Sequence, residues 1–270
     1  MLFRSHLAAV TTVYGNTDLR ARLASVALRS MGVEAPVYRG CEQPLSGKAV
    51  MWAGHEGVDI EGIDSATYEA GDAADMLIAL AAMEPGTLDV LAIGPLTNIA
   101  TAITRDPSFV ANIHRLFVMG GEFQIGWPEH NLASDVNAAR VVLGSGAPIT
   151  LVPLDQTLKV AIDAHDVARI ANAHPLGALM ADQAQRFWQF LAGLNAGLPS
   201  DRSWAHDPLT LLAITSPHLF TLTPMRVEVA DDGVVNGTPD ASSQLHVVTE
   251  LDATAAHEAF MRSLGCAAGA

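Results

Sequence analysis

Three short polar stretches of this sequence combine residue types that could bind and cleave a polar small molecule. Glu129, His130 and Asn131 follow one another, Trp204-Ala205-His206-Asp207-Pro208 precedes an apolar run, and His55 lies among glycines and acids in AGHEGVDIEG. In an extended loop Glu129 and Asn131 would project to the same side, as alternate residues of a strand do. A carboxylate acceptor beside a carboxamide, which both donates and accepts, suits the hydroxyls of a sugar; a solvated loop has the same composition. In the second stretch Pro208 suits the first position of a helix and Asp207 its N-cap. That assignment accounts for the pair by itself, yet a carboxylate at a helix entrance also suits a hard cation, and His206 can exchange a proton near neutrality. His55 reads as a solvated loop histidine or as a group on a lid.

The elements that must hold these loops follow from periodicity. Strand-length apolar runs at His6–Val13, Leu88–Ile93, Arg115–Met119 and Ile149–Val152 alternate with helix-period segments at Leu19–Met31, Asp72–Met83, Thr97–Arg105 and Val136–Leu143. Helices are then expected at Asp163–Asn172, Leu176–Leu191 and Pro208–Thr215, strands at Met225–Val229 and Gln244–Thr249, and a closing helix from Ala253. The order predicts an α/β fold with a mostly parallel central sheet and helices on both faces. Ligands of such sheets bind beyond the carboxyl ends of the strands, where YGNT, GPLTN, GGEFQIGWPEHN and PLDQT fall. Gly120 and Gly121 permit a turn there or a close approach of backbone to ligand.

Composition narrows the partners. With 15 basic and 29 acidic residues and a formal charge of −14, the surface repels nucleic acid and favours small neutral or cationic ligands, a divalent metal among them. Cys41 and Cys266 are too far apart in sequence to suggest a disulfide framework or a zinc site. No apolar run reaches the roughly 18 residues of a membrane span, and the opening MLFRSHLAAVTTVYGN reads as a buried strand rather than an export signal. Neither G-x-G-x-x-G after the first strand nor G-x-x-x-x-G-K-[ST] occurs, so a generic nucleotide-binding domain ranks last. No repeat or linker divides the 270 residues, which predicts one domain over 1–270.

VTTVYGN, AIGPLTNIA, VMGGEF, PEHN, ITLVPLDQT and AHDP, in this order and over nearly the whole chain, resemble the inosine-uridine preferring nucleoside hydrolases. Each motif is weak alone, whereas six in sequence are specific. The resemblance implies hydrolysis of the N-glycosidic bond of ribonucleosides to ribose and free base, a tightly held calcium ion, and a cytoplasmic homodimer or homotetramer. By position, Asn16 resembles the family's asparagine near metal and ribose, and Ile93 falls where a backbone carbonyl reaches calcium. Met119, Glu129 and Asn131 match ribose-contacting residues, with His130 where phenylalanine is usual. His206 matches the histidine that assists departure of the base, and Asp207 an aspartate ligand of calcium.

Two departures shape the expectation. Trp127 follows Gly126 where the family has a further asparagine, so a ribose hydrogen bond is replaced by an indole able to cover sugar or base. The family's opening strand, with its DxDPGxDDA-like calcium-binding aspartates, has no counterpart in the sequence. Only Asp207 and one carbonyl are then nameable metal ligands, which predicts weak calcium binding and slow hydrolysis by these 270 residues. A non-catalytic ribose- or nucleoside-binding or oligomeric homologue is the alternative.

Overall fold

A computed structural model describes residues 6–51, 56–193 and 201–266. The chain opens with β1 (Val10–Thr11), α1 (Thr17–Ser30) and β2 (Val37–Tyr38), then α2 (Ala73–Met83), β3 (Leu88–Ala92), α3 (Thr97–Arg105) and α4 (Ser108–Asn112). The middle holds β4 (Ile113–Met119), α5 (His130–Ser134), α6 (Val136–Leu143), β5 (Ile149–Val152) and α7 (Leu154–Thr157). After β6 (Ala161–Asp163) come α8 (Ala164–Ala173), α9 (Gly177–Gly193), β7 (Arg202–Trp204) and α10 (His206–Thr215). The last part is β8 (Phe220–Val229), β9 (Val235–Pro239), β10 (Leu245–Leu251) and α11 (Ala253–Ser263).

Six strands form the central sheet in the order β3-β4-β5-β10-β8-β9. Its first four strands run parallel and the last two antiparallel, so the expected mostly parallel α/β sheet is present. Side-chain alternation builds a core on each face. Leu116, Val118, Ile149, Leu151, Leu245 and Val247 pack with residues of α2, α3, α4 and α6. Phe117, Val152 and Val248 point the other way, towards residues of α8 to α11. Helix starts are set by short acidic or amide side chains: Asn16, Asp72, Asp135, Asp163 and Asp252 each accept a backbone N–H of the first turn.

The expected strand over 6–13 is only Val10–Thr11, and it pairs with β2 instead of joining the central sheet. Asn98 of α3 ties this small sheet to the rest, donating to the Thr12 carbonyl at 2.9 Å and accepting from the Cys41 N–H at 2.9 Å.

Candidate functional site

Past β4 the chain turns through Gly120 and Gly121, the latter at φ +78°. A Cβ at Gly120 would lie 3.1 Å from Leu132 and 3.3 Å from the Glu129 carboxylate, so a side chain there would have to push both back by a few tenths of an ångström. Glu129 and Asn131 are not on an extended loop. Glu129 is the N-cap of α5, with Oε1 accepting from the Asn131 N–H at 2.8 Å and Oε2 from the Leu132 and Gly121 N–H groups at 3.1 Å each. The carboxylate satisfies donors that a helix start would otherwise bury unpaired, and this outweighs an extended run. The Asn131 amide reaches back to the Met119 carbonyl at 3.1 Å and Sδ at 3.4 Å, so Met119, Glu129 and Asn131 meet in one buried cluster. Burial pushes the Glu129 carboxyl up to about 7 against the pull of its three N–H donors, and the nearby Asp207 charge adds to the rise.

Glu122 organises the loop between β4 and α5. Its buried carboxylate accepts the N–H groups of Gln124, Ile125, Gly126 and Trp127 at 2.6, 2.5, 2.6 and 3.2 Å. Burial pushes its carboxyl up, but the four donors prevail and hold it below the usual range. The loop presents the Trp127 side chain, which is 63% exposed. Asp155 of α7 fastens the same loop, accepting from the Phe123 N–H at 3.0 Å and the Gln124 amide at 3.1 Å.

The start of α10 differs from the expected capping. Ala205, not Asp207, is the N-cap, and Pro208 is the third helical residue. The β6–β7 ladder pairs Ala161 with Trp204, and the Ala205 N–H continues it to the Val160 carbonyl at 3.0 Å, which fixes where the helix begins. Asp207 is therefore released from capping. Its half-buried carboxylate accepts no hydrogen bond from the described residues, and burial pushes it up to about 6. His206 sits 2.7 Å through Nδ1 from the Thr157 hydroxyl and beside the Trp204 ring, centroids 6.2 Å apart. Burial pushes its imidazole down to about 4.

The loop after β1 reaches Glu129's neighbour His130, and the loop after β3 lies against the loop after β1. Tyr14, buried and at φ +66°, meets His130 edge-on with ring centroids 6.0 Å apart. Gly94 faces Val13, whose methyl would lie 3.1 Å from a Cβ there. Asn16 is exposed and caps α1 by accepting the Leu19 N–H at 3.0 Å, and its amide nitrogen has no partner among the described residues. Ile93 follows β3 with an exposed side chain. His55 lies outside the described residues. Sequence reasoning missed Tyr14, Glu122, Asp155 and Thr157, although each stands inside a motif it quoted. A bulky residue at positive φ beside a binding edge is a signal that only backbone geometry gives.

The unpaired, half-buried carboxylate of Asp207 is an oxygen donor that a hard cation would compensate. In kind the residues fit calcium; in number, a carboxylate and a carbonyl fall short of six to eight oxygens. The side-chain group of three that could hold an ion among the described residues is Asp163, His165 and Asp166, which includes no predicted ligand. Its acids are already engaged: Asp163 caps α8, and Asp166 is 2.8 Å from His257 Nε2.

This arrangement has the fold of solved nucleoside hydrolases. A plant nucleoside hydrolase superposes with a TM-score of 0.82 at 23% identity, covering 96% of this chain and 90% of that one. A purine-preferring ribonucleoside hydrolase from Gardnerella vaginalis gives 0.84 at 24% identity over the same shares. Residues 1–258 match the inosine-uridine preferring nucleoside hydrolase family, and the chain belongs to that family. It is 30% identical to a probable uridine nucleosidase 1 of Oryza sativa subsp. japonica over 88% of this chain and 78% of the relative. It is 26% identical to the pyrimidine-specific ribonucleoside hydrolase RihA of Salmonella agona, over 83% and 76%.

Proposed function

We propose that this chain cleaves the N-glycosidic bond of ribonucleosides, releasing ribose and free base. The supporting observation is the cluster at one sheet edge, where the unpaired Asp207 carboxylate lies near enough to Glu129 to raise its affinity for a proton. Cleavage passes through an oxocarbenium-like sugar, so one face must present water and the other must help the base leave. Asp207 supplies negative charge beside such a sugar, Glu129 a carboxyl that burial brings close to protonation at neutrality, Asn131 and Asn16 amide groups for its hydroxyls, and His206 stands by the base. His55 and the exposed Trp127 are assigned to covering sugar or base. Calcium, held by Asp207 and the Ile93 carbonyl, would fix the ribose diol; with so few oxygens we assign these 270 residues weak binding and slow turnover. Incubation of the chain with inosine and uridine, with chromatographic measurement of free base, tests the activity, and no release of either base at any calcium concentration overturns it.

The same reading extends to a cytoplasmic homodimer or homotetramer, which light scattering on the purified chain checks for assembly. One observation favours a non-catalytic binding protein instead: both Glu129 oxygens and the Asn131 amide already serve the chain. Calorimetric binding of nucleoside without base release would select that reading.

A further inference from the structure

We propose that Thr157 is a positioning residue that holds His206 as the Nδ1–H tautomer, so that Nε2 is the nitrogen presented to a ligand. The proposal rests on the hydrolase reading for its functional consequence but not for its geometry.

A threonine hydroxyl has one proton and two lone pairs. Thr157 Oγ1 lies 3.1 Å from the Leu154 carbonyl and 2.7 Å from His206 Nδ1. The carbonyl only accepts, so the hydroxyl proton goes to Leu154; reversing it would set two oxygen lone pairs against each other. The remaining lone pair of Thr157 must then be met by a proton on Nδ1. In a neutral imidazole that leaves Nε2 bare. No described residue hydrogen-bonds to Nε2, and the Trp204 ring lies beside the imidazole.

The anchor is itself anchored. Thr157 ends α7, where its N–H reaches the Pro153 carbonyl at 3.1 Å, and Asp155 in the same turn grips the loop after β4. One turn of helix thus sets the histidine on one side and the β4 loop on the other. His206 is thus held through Nδ1, and Nε2 is the ring nitrogen left for a ligand.

The test uses the full chain labelled with 15N-histidine at neutral pH, with the His206 signals assigned by their loss in His206→Gln. The wild type is expected to show a protonated Nδ1 and an unprotonated Nε2. Thr157→Val, nearly isosteric but without an acceptor, is expected to shift His206 towards a mixture of tautomers and to lower kcat roughly 10- to 100-fold with little change in KM. Thr157→Ser is expected to restore both. An Nε2–H tautomer in the wild type overturns the proposal, as does a Thr157→Val variant with unchanged nitrogen shifts and kcat. Absence of base release from a wild type showing the Nδ1–H form defeats the hydrolase reading and leaves the positioning role standing.

Discussion

Asp207 is a half-buried carboxylate whose surroundings do not repay its desolvation. It neither caps its helix nor accepts a hydrogen bond from the described residues, and burial alone raises its pKa to about 6. Asp207→Asn removes a buried charge without changing shape, so unfolding free energy should stay level or rise by about 1 kcal/mol. Base release should fall by roughly 100-fold or more, as on loss of one electrostatic contact to a transition state. Urea unfolding beside a steady-state assay checks both, and a clear loss of stability would make the carboxylate structural. Glu122 predicts the opposite balance. Its carboxylate accepts four N–H groups, and in Glu122→Gln an amide nitrogen would face some of them, at a cost of about 2–3 kcal/mol. Its folded pKa lies below the ordinary 4.5, so the contribution is complete above that pH and lost as pH falls through the folded value. The stability gap between wild type and Glu122→Gln, measured by urea unfolding, should therefore be widest near neutrality and shrink below pH 4.5.

Between elements, Asn98 carries an attachment that no strand pairing supplies. It bonds both Thr12 and Cys41, so Asn98→Ala leaves a carbonyl and an N–H without partners and should cost about 2–3 kcal/mol. Faster hydrogen exchange around Thr12 and Cys41 than in β4 would show that β1 and β2 loosen before the central sheet does. Elements with agreeing period and punctuation were legible in the sequence: α3, α6 and β5 have the expected bounds, and Asp135 stands as the cap before α6. β1 was read, though as part of a longer run at His6–Val13; the other short strands were not. The two residues of β2 carry no periodic signal, and β9, Val-Asn-Gly-Thr-Pro, contains the residues that argue against a strand. In the site, Met119, Glu129 and Asn131 were legible as a group, but their conformation was not, because glutamate as a helix cap is an uncommon use of that side chain. Thr157 left no trace, since its partner His206 lies 49 residues away and only tertiary structure joins them.

At the scale of the molecule, a formal charge of −14 attracts any cation, and this must be separated from a site at Asp207. A ligand that binds only the folded chain stabilises it by RT ln(1 + [L]/Kd), about 1.4 kcal/mol at ten times Kd. For a chain of this size that corresponds to a melting shift of roughly 2–3 °C. If calcium binds weakly through Asp207 and Ile93, the shift should develop only at millimolar calcium. Magnesium, which demands a tighter octahedral shell and sheds water reluctantly, should produce less. General screening by a diffuse cloud of cations follows ionic strength and not the identity of one residue. Thermal melts of wild type and Asp207→Asn in calcium, magnesium and sodium chloride at matched ionic strength distinguish the two. A shift specific to calcium and absent from the variant places the ion at the head of α10. An equal shift in both proteins assigns it to the acidic surface, and Asp207 then acts on the sugar through its own charge.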